Sequence, residues 1–189
     1  MIINKDTIIV DPHPLLRKRA EKVVLPLGDE DRELLEAMFT YVKKSQDDDI
    51  AEKENLLPAV GIAAVQVGVD KQMTAVSVND YDDDGNITAT HEFALVNPVI
   101  TQYSKKEAAL AAGEGCLSIR EEHEGYVYRP HRITVKAYDL LQDKQIEIKA
   151  SGYLAIVLQH EIDHLKGILF YDHINTQNRW HEKAKAIII

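Results

Sequence analysis

Two histidines four residues apart, His160 and His164, give the sequence its strongest chemical signal. They stand in the run QHEIDH, within a stretch whose apolar spacing predicts a helix over 152–166. Positions four apart share one face of a helix, so both imidazoles can reach one metal ion. The neighbouring Glu161 can then lie beside water on that ion and act as a general base without being a ligand.

The alternative interpretation is a pair of surface histidines on an amphipathic helix. Apolar residues on more than one side of the helix argue against it, namely Tyr153, Ile156, Val157 and Leu165. A helix of this kind is largely interior. Because paired histidines in an interior helix need a partner, we expect a metal site.

The third ligand decides the class of enzyme, because catalytic zinc-type sites use three protein ligands and leave one position for water. One protease group supplies a histidine three residues past a glycine, but here Phe170 follows Gly167 at that spacing. Another group uses a downstream glutamate, for which Glu182 is a candidate in a polar segment. Cys116 is the better candidate, because flanking glycines in GEGCLS let its backbone approach a metal. A lone cysteine is otherwise a small buried hydrophobe.

Composition limits the other classes of function. The chain has 189 residues, 45% of them hydrophobic, which suits a single catalytic domain over 1–189. A net charge of −9 makes nucleic-acid binding a poor expectation, since such binding depends on Lys and Arg neutralising phosphates. The single cysteine permits no internal disulfide and favours the cytoplasm. We find no signal peptide or membrane-spanning run, so we expect a soluble protein without a membrane partner.

The elements that must position these residues follow from periodicity and turn residues. Helices come first, then many strands, then the late helix, and this order predicts an α+β fold of mostly antiparallel strands around a central metal-binding helix. The predicted helices are one begun by Asp11-Pro12 and one over 31–44, followed by a solvated acidic run at 47–49 and an exposed connection over 50–58. The predicted strands lie over 73–78 and over 93–101, the second with an interruption at Asn97-Pro98. A hairpin of 132–139 with 145–149 follows, and the chain ends in an apolar, strand-like tail over 186–189.

Three segments together resemble the peptide deformylase family: AVGIAAVQ at 59–66, EGCLS at 114–118 and QHEIDH at 159–164. Their order agrees with the family pattern, and the similarity extends over nearly the whole chain. One departure is Ala59, which stands where the first motif usually begins with glycine. The extra methyl narrows backbone freedom without abolishing activity. The connection before the first motif and the apolar tail resemble the form common in Gram-positive bacteria.

The resemblance implies a Cys-His-His metal site formed by Cys116, His160 and His164, with water completing a tetrahedron. It also implies iron(II), one per chain, with zinc, nickel or cobalt able to take its place. Mixed thiolate and imidazole ligands suit several of these divalent ions, so the ligand set alone does not choose among them.

The implied reaction is hydrolysis of the N-formyl group of a new protein, with release of formate. Glu161 would take a proton from metal-bound water and return it to the leaving amine. The metal, the Gln66 side-chain amide and the Leu117 backbone N–H would stabilise the charge on the formyl oxygen. The role of Gln66 comes from the resemblance alone.

The implied substrate is a nascent polypeptide that begins with N-formylmethionine, and the ribosome is a further candidate partner. Such a substrate needs an apolar pocket beside the metal and a strand edge that pairs with the peptide. The expected substrate-binding residues are Val60, Gly61, Ile62, Gly115, Tyr153, Ile156 and Val157. A core role would also explain the three residues of the late helix. Asp163 is not at a ligand position, and we expect it to pair with a basic neighbour.

Two rival functions use the same histidine pair. One is a zinc endopeptidase whose third ligand is Glu182. The other is a binding module whose metal is purely structural, which requires that the fourth coordination position be closed.

Overall fold

The computed structural model describes residues 1–189 and has the expected α+β architecture, with mainly antiparallel strands. The helices are α1 (Asp29–Lys44), α2 (Asp48–Glu54) and α3 (Gly152–His164). The strands are β1 (Gly61–Ala63), β2 (Met73–Tyr81), β3 (Ile87–Tyr103), β4 (Glu107–Ala109), β5 (Arg129–Pro130), β6 (Arg132–Asp139), β7 (Lys144–Ser151) and β8 (Ile187–Ile188). Short 3-10 turns lie at Pro14–Arg17, Ala64–Val67 and Phe170–His173. None of the helices combines the length and the apolarity needed to cross a bilayer.

The larger sheet has the order β1-β2-β3-β6-β7, and every neighbouring pair in it is antiparallel. Strand β1 therefore lies at an edge. The interruption expected at Asn97-Pro98 is a shift in register between β3 and β6, where Asn97 has a φ of 52°. The smaller sheet has the order β5-β4-β8, in which the apolar tail pairs with β4 in parallel.

The larger sheet separates two apolar clusters, because side chains alternate between its faces. Along β2, Met73 and Ala75 pack with α1, whereas Val76 and Val78 pack with α3. Helix α3 is buried on most sides, as its apolar residues indicated, and it ends before Gly167, whose φ is 74°. The site-bearing helix is thus held within the apolar interior.

The prediction of a helix that begins at Asp11-Pro12 is wrong, since the chain forms only the short 3-10 turn Pro14–Arg17 there. The segment after it is drawn out by bonds to distant parts of the chain. Ala20 N–H donates to the Leu165 carbonyl at 2.9 Å, and Gln72 N–H donates to the Glu21 carbonyl at 2.8 Å. These tertiary hydrogen bonds override the local helix-start signal.

The acidic run at 47–49 is exposed as expected, but it begins helix α2 instead of forming a loop, and this helix occupies half of the expected exposed connection. The Asp47 carboxylate accepts a hydrogen bond from Ile50 N–H at 3.0 Å and caps the helix. The next two acids lie in the first turn, where negative charge is favourable. Ala51 anchors the helix in the core. The expectation for 31–44 is confirmed by α1, and that for the hairpin by β6 and β7.

Gly167 lies so close to the turn Pro14–Arg17 that a side chain there would collide with backbone. An added Cβ would be 2.6 Å from the Arg17 carbonyl carbon and oxygen. We expect Gly167→Ala to lower the free energy of unfolding by roughly 1–2 kcal/mol for the left-handed backbone and by roughly 1–3 kcal/mol more for the collision. Gly68→Ala is the matched control, because Gly68 has a φ of 81° and nothing within 4 Å. Equal losses for both variants in urea unfolding would contradict this prediction.

Candidate metal centre

Helix α3 and the loop after β4 bring Cys116, His160 and His164 together. One candidate ligand atom from each residue lies within 4.8 Å of the other two, and Cys116 Sγ is 3.2 Å from His164 Nε2. With metal–ligand bonds of about 2.0–2.3 Å, neighbouring ligands of a tetrahedral ion lie roughly 3.3–3.8 Å apart. A sulfur and two imidazole nitrogens at this spacing fit a divalent transition metal.

His160 presents one nitrogen to this cluster, because the other is already bonded. Its Nδ1 lies 2.8 Å from Glu114 Oε2, which leaves Nε2 available as a ligand. Burial alone would lower the pKa of His160, but hydrogen bonds to Cys116 and Glu114 raise it well above its usual value. Burial and the nearby His160 lower the pKa of His164 well below its usual value. His164 therefore stays neutral, which is the form of an imidazole that can bind a metal.

A buried chain of charges stands behind His160. Arg129, which is 3% exposed, donates to both Glu114 oxygens at 2.7 and 3.1 Å and to Asp163 at 2.7 Å. Asp163, expected to pair with a basic neighbour, also lies 2.9 Å from His173 Nε2. Burial would raise the pKa of Glu114, but its bonds to His160 and Arg129 outweigh this and lower it. Glu114 therefore stays a carboxylate and orients the His160 ring.

Glu161 points away from this chain of charges and into the space beside Cys116. It is 4% exposed, and its Oε2 is buried without a hydrogen-bond partner in the protein. Its carboxylate packs against the backbone of Gly61, where an added Cβ would lie 2.6 Å from Oε1. Burial raises the pKa of Glu161 to about 7. A carboxylate with such a pKa and a free oxygen is suited to accept a proton near neutral pH.

Gln66 and Leu117 present donors on the same side of Cys116. The Gln66 side chain is fixed because its Oε1 accepts from Ala63 N–H at 2.9 Å and its Nε2 donates to Ser118 Oγ at 3.2 Å. The same nitrogen lies 3.6 Å from Cys116 Sγ. The Leu117 N–H donates to no other group of the protein. Both residues line the cavity described next.

A cavity of about 530 Å³ opens beside the cluster, and Cys116, His160, Glu114 and Glu161 are among the residues that line it. Six of the residues expected to bind substrate line it: Val60, Gly61, Gly115, Tyr153, Ile156 and Val157. Ile62 does not, because its side chain is fully buried in the cluster under α1. The Val60 carbonyl accepts from Ser77 N–H, so alternation along β1 turns the Gly61 N–H and C=O towards the unpaired edge.

Sequence reasoning missed several lining residues: Gln46, Leu57, Pro58, Leu110 and Glu114. Glu114 had a detectable signal, since ligand histidines usually donate their second N–H to a carboxylate and Glu114 stands in the motif of Cys116. The others reach the cavity only through folding of the α1–α2 connection, of the α2–β1 connection and of the residue that follows β4. Glu182, the rival third ligand, is exposed and lies outside the ligand cluster.

Comparisons with known proteins agree on one family. Residues 5–180 match the family model described as polypeptide deformylase. The chain is 45% identical to peptide deformylase of Staphylococcus epidermidis over 99% of this chain and 100% of that protein. It is 44% identical to peptide deformylase 2 of Bacillus subtilis over 100% and 99% of the two chains. The crystal structure of peptide deformylase from Ehrlichia chaffeensis superposes with a TM-score of 0.72 at 30% identity, covering 94% of this chain and 90% of that one.

We expect Cys116→Ala to weaken binding of a divalent metal by more than about 100-fold, because changes outside the ligands alone cost about 10–100-fold. Metal bound per chain, measured after dialysis against a chelator buffer, tests this. Glu182→Ala is the control and should retain the wild-type metal content. Loss of the metal from Glu182→Ala together with its retention in Cys116→Ala would contradict the proposed ligand set.

Proposed function

The chain belongs to the polypeptide deformylase family, an enzyme family that depends on a metal and removes the N-formyl group from new peptides, and from that premise we propose that Cys116, His160 and His164 hold the metal while Glu161 moves the proton. The single observation that supports this most is the shared cavity, which is lined by two members of the ligand cluster, Cys116 and His160, and by the buried Glu161 carboxylate with its unpartnered oxygen.

A divalent ion in this site supplies a Lewis acid that lowers the pKa of water towards neutrality. One oxygen of the Glu161 carboxylate accepts the proton from the water that attacks the formyl carbon, since this carboxylate bonds to no other group of the protein. The same oxygen then returns the proton to the departing amine, and formate is released. A pKa of about 7 suits both directions of transfer.

Two donors of the chain stabilise negative charge on the formyl oxygen during attack. The Leu117 N–H is free of any protein partner, and the Gln66 side chain is held near Cys116 because its Oε1 accepts from Ala63 N–H and its Nε2 donates to Ser118 Oγ. Because these groups are fixed before the substrate arrives, little reorganisation is needed as the charge develops. Both roles require that the formyl oxygen lie between them and Cys116.

The substrate is an N-formylmethionyl nascent polypeptide. Its methionine side chain enters the apolar part of the cavity between Tyr153, Ile156 and Val157 of α3. Its backbone lies beside the unpaired edge of β1, where the N–H and C=O of Gly61 can add a strand bond, and near Gly115 across the cavity. Ile62 contributes backbone at most, because its side chain is in the core.

The metal in the cell is proposed to be iron(II), with zinc, nickel or cobalt as substitutes. The mixed sulfur and nitrogen ligands accept each of these ions, so availability and not geometry decides which is bound. The proposed setting is the cytoplasm, where new chains emerge from the ribosome, itself a candidate partner. The single cysteine, a ligand in this proposal, fits a reducing compartment.

Glu161→Gln is expected to retain the metal and lose nearly all release of formate from a formyl-Met peptide. The amide keeps the shape of the side chain but cannot accept the proton, and general-base catalysis contributes about 10²–10⁴-fold. Formate is measured with purified iron-loaded protein held free of oxygen, with metal content determined on the same sample. Glu182→Gln provides the control on an exposed glutamate and should be as active as the wild type. Wild-type activity in Glu161→Gln would refute its role.

Gly61→Ala is expected to reduce kcat by about 100-fold, because a displacement of about 1 Å at a catalytic group has an effect of that size. The added methyl would overlap the Glu161 carboxylate, which has to move. Gly115→Ala is the matched variant, since its methyl meets nothing within 4 Å although it faces the same cavity. A change confined to KM in both variants would show that Gly61 does not position Glu161.

A further inference from the structure

The ring of Phe170 lies against the ring of His160. Their centroids are 6.1 Å apart and the ring planes differ by 19°, an offset stack. We propose that Phe170 is a positioning residue that fixes the plane of the His160 imidazole, and thereby the direction in which its Nε2 points. This inference rests on the proposed role of His160 as a metal ligand.

The imidazole needs such a restraint because the torsion that sets its plane is intrinsically broad. The bond from Nδ1 to Glu114 holds one corner of the ring, but a hydrogen bond tolerates a wide range of angles. The ring of His164 meets His160 at 69°, edge to face, so it does not hold the ring flat. Phe170 supplies the parallel surface that the other two neighbours lack.

Phe170 is itself held rigidly by the turn Phe170–His173. The Asp172 carboxylate accepts from Leu169 N–H at 2.9 Å and pairs with Arg17, which fixes the start of the turn. At its end, His173 bonds to Asp163 of α3. The turn is thus tied to the same helix that carries His160, so the two stacked rings move as one unit.

Two further rings meet Phe170 edge-on and leave it little freedom. His123 lies at 6.0 Å and 83°, and Tyr171 lies at 5.9 Å and 79°. Phe170 is 3% exposed, yet it belongs to none of the three apolar clusters of the core. Its burial therefore serves the stack on His160 more than the packing of the sheet. It occupies the position at which one protease group carries a third histidine ligand.

The test replaces the flat ring and follows cobalt(II) binding to the metal-free protein. Phe170→Leu is expected to bind cobalt(II) about 10-fold or more weakly in competition with a chelator, as for other groups that orient a ligand. Its visible cobalt absorption should also change in shape, because the His160 nitrogen is no longer held in one direction. Phe170→Tyr keeps the ring and should restore the wild-type spectrum.

Tyr128→Leu is the control, since it removes an aromatic ring that packs on Tyr126 and meets neither Phe170 nor His160. It should bind cobalt(II) with the wild-type affinity and spectrum. If Phe170→Leu fails to fold, Phe170→Met, of similar volume without a flat ring, takes its place. A lower unfolding temperature with unchanged affinity and spectrum would overturn the inference and show a packing role. Failure of the wild type to bind cobalt(II) would instead overturn the metal site itself.

Discussion

The buried Glu114 carboxylate, bonded at once to Arg129 and His160, is the interaction on which the site depends. Glu114 is two residues before Cys116, whereas His160 belongs to α3, so these bonds fix the loop that carries the sulfur relative to the helix that carries the imidazoles. The negative charge of Glu114 is tolerated in the interior only because Arg129 and His160 both bond to it. Removing one member of a buried charged group costs about 3–5 kcal/mol, since it leaves another charge uncompensated.

Secondary structure from distant parts of the chain converges on this contact. Strand β4 leads into the loop of Cys116, and it is flanked by β5, whose first residue is Arg129, and by the tail strand β8. The Ile189 carbonyl accepts from Ala111 N–H at 2.7 Å, so the tail braces the start of the loop. Helix α3 is tied to β5 by the bond from Gln159 Nε2 to the Pro130 carbonyl at 2.9 Å. The smaller sheet therefore positions the thiol, and the larger sheet positions the helix.

Patterns that repeat along the chain were readable from the sequence, and contacts between distant segments were not. The alternation in β6 and β7 and the periodicity of α1 reflect burial of one face, and the apolar residues of α3 reflect burial on most sides, so these patterns predicted the elements correctly. The spacing of His160 and His164 also predicted correctly that they share one face of α3, because residues four apart lie on the same side of a helix. The helix predicted after Asp11-Pro12 does not form, because backbone hydrogen bonds to distant segments determine the conformation there. No local pattern could reveal that Arg129 reaches Glu114, or that Phe170 stacks on His160.

The two buried glutamates of the site have opposite protonation tendencies, and this difference follows from their neighbours. Arg129 and His160 give Glu114 three hydrogen bonds and lower its pKa, whereas Glu161 keeps Oε2 unbonded and has a pKa of about 7. Environments that separate the pKa values of two carboxyl groups are a mark of divided roles in catalysis. Because the cation of Arg129 is already committed to Glu114 and Asp163, it does not pair with Glu161. The network that orients His160 thus also leaves the neighbouring Glu161 carboxylate without a bonded partner.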